Sequence, residues 1–68
     1  MTTGEKVRLV RTVGPAGNLL KSCLGLTGEV VQVIERMGKP IYRVRFRVNW
    51  HAMDTVVWNL KEEEIERA

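Results

Sequence analysis

Four sets of side chains in this 68-residue chain have types and spacings that bear on chemistry. Cys23 and His51 are the only thiol and the only imidazole, so nucleophilic catalysis would have to run through that one pair. No motif joins them, and no orienting group accompanies either. Cys23 falls on the apolar stripe of a short helical segment and reads as a small buried hydrophobe. His51, between Trp50 and Ala52, reads as a loop or interface residue. One Cys and one His cannot assemble a zinc, haem or iron–sulfur site of ordinary ligand count, and no cofactor is expected. Glu62, Glu63 and Glu64 are adjacent carboxylates that point in different directions, and no phosphate or metal motif goes with them. They read as a solvated turn. The chain is therefore expected not to be an enzyme.

The fourth set carries more information. In Tyr42-Arg43-Val44-Arg45-Phe46-Arg47-Val48 the apolar residues share one parity and the arginines share the other. A period of two is that of a β-strand with one face on a core, and it stands three guanidinium groups together on the opposite face. Their chemistry is anion recognition, either of carboxylates on a protein or of phosphates on a nucleic acid. Lys39 precedes the strand and Trp50 follows it. Read as an exposed loop aromatic, Trp50 joins Lys39, Arg43, Arg45 and Arg47 as a candidate partner-binding residue, because Trp and Arg are favoured at interfaces. Nucleic acid ranks below a protein partner, since Tyr42 and Phe46 share the inward parity and are taken up by the core rather than free to stack on bases.

The charge is distributed unevenly about the formal net of +3. Residues 1–35 carry four cations and three acids. Residues 36–53 carry Arg36, Lys39, Arg43, Arg45 and Arg47 with no acid, and residues 54–68 carry two cations against Asp54, Glu62, Glu63, Glu64 and Glu66. Such a polarised surface can orient a charged partner. The competing reading is that the tail acids pair with the arginine strand.

These residues need a scaffold, and the rest of the chain supplies the signals for one. A first strand is expected over Lys6 to Val13, with Val7 and Leu9 inward, broken by Gly14-Pro15-Ala16-Gly17. Asn18 then caps a helix of about two turns, stopped by Gly25, in which Leu20 and Leu24 plug one end of the barrel. Gly28 to Glu35 is a β-branched second strand whose mixed parity predicts a bulge or burial of both faces. Met37-Gly38-Lys39-Pro40 turns the chain into the arginine strand, and Asn49 to Asp54 forms the next loop. Thr55 to Trp58 is a short fourth strand; Glu62-Glu63-Glu64 makes a single helical turn, and Ile65 closes the sheet. Five short strands in one domain point to an all-β fold, a small five-stranded SH3-like barrel with one short helix in the first long loop. A chain this short buries only about 60% of its unfolded surface, so its stability is marginal. The lone thiol fits a reducing compartment, and no apolar run approaches the roughly 18 residues that span a bilayer. The protein is expected to be soluble, or peripheral through a partner.

Gly4-Glu5-Lys6-Val7-Arg8-Leu9, Gly25-Leu26-Thr27-Gly28-Glu29-Val30 and Val44-Arg45-Phe46, with the closing Trp58 and Glu63-Glu64-Ile65-Glu66, together resemble the small SH3-like proteins of photosynthetic electron transport. That group includes the PetP subunit of cyanobacterial cytochrome b6f, the variable chain of ferredoxin–thioredoxin reductase and the PsaE subunit of photosystem I. The insertion holding Leu19 to Leu24 and the ending Val56-Val57-Trp58 before an acidic turn are most similar to PetP. Gly28-Glu29-Val30 and Gly38-Lys39-Pro40-Ile41 resemble the reductase chain more closely, and Val48-Asn49-Trp50 resembles a segment of PsaE. KOW-type nucleic-acid-binding domains share the first two stretches. The resemblance implies a non-catalytic accessory subunit, peripheral on the cytoplasmic side of the thylakoid. Its partners would be subunits of a complex and an acidic electron carrier such as ferredoxin.

Overall fold

The computed structural model describes residues 1–13 and 18–68, and the expected break at Gly14 to Gly17 lies outside them. Five strands form one antiparallel sheet: β1 (Lys6–Leu9), β2 (Thr27–Arg36), β3 (Lys39–Trp50), β4 (Met53–Lys61) and β5 (Ile65–Arg67). Their spatial order is β4-β3-β2-β1-β5, and a 3₁₀ turn, Glu62–Glu64, links β4 to β5. This is the five-stranded SH3-like barrel order. A single helical turn, α1 (Asn18–Lys21), sits in the connection between β1 and β2.

The core follows the alternation of β3. Tyr42, Val44, Phe46 and Val48 are buried with Val7, Leu9, Cys23, Val30, Leu60 and Ile65. Gly28 stands opposite Phe46 in the β2–β3 ladder, and a Cβ there would lie 2.7 Å from the Arg45 carbonyl and 2.8 Å from the Phe46 ring. Only glycine lets the ring pass over that backbone. The mixed parity of β2 resolves as a bulge at Val31, where the register with β3 shifts between Val30 and Gln32.

Several boundaries differ from the sequence reading. β1 stops at Leu9, because beyond it Val10 and Arg11 donate to the Glu64 carbonyl instead of continuing the ladder. The helix has one turn, not two. Leu20 packs on the core and Cys23 is fully buried, whereas Leu19 and Leu24 are exposed, at 58% and 44%. Leu24 is therefore no plug. After Lys21 the chain leaves helical geometry, with Leu24 N–H donating to the Lys21 carbonyl (3.2 Å) and Leu26 N–H to that of Cys23 (2.9 Å), and this turns Leu24 outward.

The connection between β2 and β3 is shorter than expected. Arg36 pairs with Lys39 across a two-residue turn, Met37-Gly38, with φ of 51° and 76°. Both signs are those of the hairpin turn whose twist matches the strands. Lys39 and Pro40 thus belong to β3. The expected loop over Asn49 to Asp54 likewise contracts to His51-Ala52, with Trp50 paired to Met53. A register shift between Arg47 and Trp50 carries Trp50 onto the core, where it is half-buried. Its reading as an exposed loop anchor is corrected accordingly.

Candidate docking face

Residues opposite one another in a ladder share a face. From Arg43, Arg45 and Arg47 the registers carry the outer face to Asn59, Val57 and Thr55 on β4, and to Gln32 and Glu29 on β2. Glu29 stands opposite Lys6 on β1, and Arg8 stands opposite Thr27 on one side and Glu66 on the other. Among the described residues one continuous surface therefore bears Lys6, Arg8, Arg43, Arg45 and Arg47 with only Glu29 and Glu66 as acids. Lys6 and Arg8 were legible as the parity opposite Val7 and Leu9, but only the pairing of β1 with β2 sets them beside the arginines.

The three arginines are held differently. Arg43 is half-buried, donating from Nε to Asn59 Oδ1 at 3.3 Å and from Nη1 to Gln32 Oε1 at 3.2 Å. Neutral partners fix its plane without cancelling its charge. Arg45 Nη2 and Lys6 Nζ share Glu29 Oε1, each at 3.5 Å. Among the described residues Arg47 is exposed and its guanidinium has no hydrogen-bond or ionic partner, so of the three arginines it is the one most available to an incoming anion. Lys39 lies at the far end of β3, beside the hairpin turn and outside this cluster.

The tail acids do not neutralise the row. Glu66 pairs with Arg8 at 3.4 Å, and Glu62 and Glu63 are exposed. Glu64, expected in a solvated turn, is 6% exposed and accepts the Lys61 N–H on Oε1 at 2.8 Å and the Val13 N–H on Oε2 at 3.1 Å. It is a structural cap that ties the β4–β5 turn to the first part of the β1–β2 connection. At the opposite margin Arg67 Nε donates to Glu5 Oε2 at 3.0 Å, holding β5 to the segment before β1.

Two shallow depressions mark the face. One is lined by Val31, Arg43, Val57, Trp58 and Asn59, and the other by Lys6, Thr27, Gly28, Glu29, Arg45, Arg47 and Thr55. The first is mostly apolar with a fixed guanidinium on its rim; Val57 within it is 48% exposed. Tyr42 and Phe46 are sealed in the core, and Trp50 and Trp58 pack against it. Cys23 is buried, with Sγ 3.7 Å from the Leu19 carbonyl oxygen, while His51 is exposed in the β3–β4 turn. The fold does not bring them together. Among the described residues no three His, Cys, Asp or Glu side chains are placed to hold a metal ion, and no helix is long and apolar enough to cross a membrane. In comparisons with known proteins no family model, curated protein or solved structure matches this chain significantly.

Proposed function

We propose that this protein is a non-catalytic docking subunit whose cationic sheet face receives an acidic protein surface. The observation that carries the reading is the segregation of side chains across the sheet: Lys6, Arg8, Arg43, Arg45 and Arg47 stand on the outer face, while Tyr42 and Phe46 are buried and Trp58, at the edge of one depression, packs against the core. Arginine rows around an apolar depression suit carboxylates set about an apolar contact, the mixed composition of protein interfaces. Single-stranded nucleic acid would ask for aromatic platforms on the same face. The resemblance of the sequence to PetP gives the proposal its setting. There the chain is a peripheral accessory subunit of the cytochrome b6f complex on the cytoplasmic side of the thylakoid, stabilising an assembly or shaping the landing surface for ferredoxin. The alternatives, a reductase variable chain or a PsaE-like photosystem I subunit, would present the same cationic face to a different complex.

Parallel titrations of the purified chain with an acidic ferredoxin and with duplex and single-stranded oligonucleotides test this. Ferredoxin should bind with an affinity that falls as salt rises, and oligonucleotides only weakly and without sequence preference. A sequence-preferring complex at physiological salt would replace the proposal with a KOW-like nucleic-acid-binding function.

A further inference from the structure

The sheet ends on one side in β5, three residues long and carrying Glu66 and Arg67, and on the other in β4, nine residues long. Charges, proline and short length are the devices that keep an edge strand from pairing with another chain. β4 has no proline, and its only charges, Asp54 and Lys61, lie near its ends.

The registers determine which of its backbone groups point outward. Val30 uses its N–H on the Glu5 carbonyl (3.0 Å) and its C=O on the Gly4 N–H (2.7 Å), so both groups face β1 and away from β3. The Val30–Val44 pair is therefore a non-hydrogen-bonded one, and Val44 directs its own groups to Trp58 on β4. Alternation then aims the N–H and C=O of Thr55, Val57 and Asn59 at the free edge. The β2–β3 hairpin gives the same phase independently. Arg36–Lys39 closes a two-residue turn, so counting along β3 puts Pro40, which has no N–H, where its nitrogen faces away from β2. Lys61 shares the outward phase, and its N–H is the one already taken, by Glu64 at 2.8 Å. The Glu64 carboxylate closes the end of the edge. Among the described residues no backbone group outside β3 bonds to Thr55, Val57 or Asn59.

We infer that this edge pairs antiparallel with β4 of a second copy of the chain, about a two-fold axis through Val57. Strands in such a pair expose like faces only if the axis passes through a residue, and hydrogen-bond through these groups only if that residue has the outward phase. With Val57 on the axis, Val57 pairs with its symmetry mate and Thr55 with Asn59 of the other copy, so all six outward groups in the two strands' matched triplets find partners in each copy. The flanking inner-face pairs set Val56 against Trp58, apolar on apolar, and no like charges meet. An axis at Thr55 carries Asn59 opposite the His51-Ala52 turn, and one at Asn59 requires the Lys61 N–H that Glu64 holds. The second copy sets its own Val57 beside Val57 and leaves the outer face of the sheet open. The two Arg45 residues end about three strand spacings apart, roughly 14 Å, beyond the ~8 Å screening length of physiological salt. The arginine rows then form one wider cationic face without strong mutual repulsion.

Sedimentation equilibrium over a wide concentration range, with Val57→Lys beside wild type, tests the pairing. Wild type should approach twice the 7.8 kDa monomer mass as concentration rises, more readily at raised salt, while Val57→Lys stays monomeric with an unchanged β circular dichroism spectrum. A second variant does not depend on the first. On the axis the two Val57 Cα atoms lie about 5.5 Å apart, within disulfide reach, so Val57→Cys should oxidise to a covalent dimer faster than Met37→Cys at the remote hairpin tip. The native Cys23 is buried and does not compete. A wild type that is monomeric throughout, or a dimer that Val57→Lys leaves intact and Val57→Cys does not cross-link above the Met37→Cys control, would overturn the inference.

Discussion

Glu29 and Arg45 face each other across the β2–β3 ladder, and Glu29 Oε1 lies 3.5 Å from Arg45 Nη2 and equally far from Lys6 Nζ. One carboxylate thus restrains two of the five cations on the proposed docking face. Both pairs are solvent-exposed, and exposed pairs contribute only about 0–1 kcal/mol to stability. Glu29→Gln should therefore leave the melting temperature nearly unchanged while tightening association with an acidic partner and steepening its salt dependence. Titration of the variant and the wild type against ferredoxin at two ionic strengths reads this directly. A weaker complex would mean that Glu29 positions Arg45 rather than competing for it.

Glu64 is the carboxylate whose loss should cost the fold. It accepts two backbone N–H groups while almost fully buried, and a buried donor left without an acceptor costs about 1–3 kcal/mol. Glu64→Ala should lower the melting temperature by several degrees, at roughly 4–8 °C per kcal/mol for a domain of this size. Glu64→Gln, with one acceptor oxygen kept, should recover part of that.

The arginine strand was legible because its alternation is uninterrupted and its period tells core from surface without any tertiary knowledge. An irregularity at Val31 was legible for a related reason, since Val30, Val31, Val33 and Ile34 cannot all face one way, but only the register with β3 decides for a bulge over burial of both faces. Trp50 was misread because its turn, His51-Ala52, lacks the Gly, Asn or Pro that marks a hairpin. Only the register shift after Arg47 reveals that the strand continues. The burial of Glu64 was invisible for a different reason, since one of its two partners, the Val13 N–H, is 51 residues away. Leu24 was placed on an extrapolated helical stripe, and the helix ends before reaching it.

The corrected place of Leu24 reverses an energetic expectation. Truncating an exposed leucine changes stability by no more than about 0.5 kcal/mol, whereas truncating a fully buried one costs about 2–5 kcal/mol. Leu24→Ala should melt close to wild type, and Leu60→Ala, at a position with 0% exposure, should melt far below it. Equal melts for the two would place the barrel plug back at Leu24.

Met37 occupies the left-handed region at φ 51° and is fully exposed, so no packing offsets the strain of a non-glycine residue there. Asn is the residue that the first position of this hairpin turn prefers. Met37→Asn should stabilise the protein by about 1 kcal/mol or less, read as a rise in the denaturant midpoint with unchanged slope.

The most direct test of the docking face is the association rate with an acidic ferredoxin, measured by stopped flow at low salt for wild type and for a variant carrying Arg43→Glu, Arg45→Glu and Arg47→Glu. Surface charge acts chiefly through electrostatic steering. The triple variant should fold, bind much more slowly and lose its salt dependence, and raised salt should bring wild type toward the same rate. Equal association rates for the two folded proteins at low salt would contradict the account.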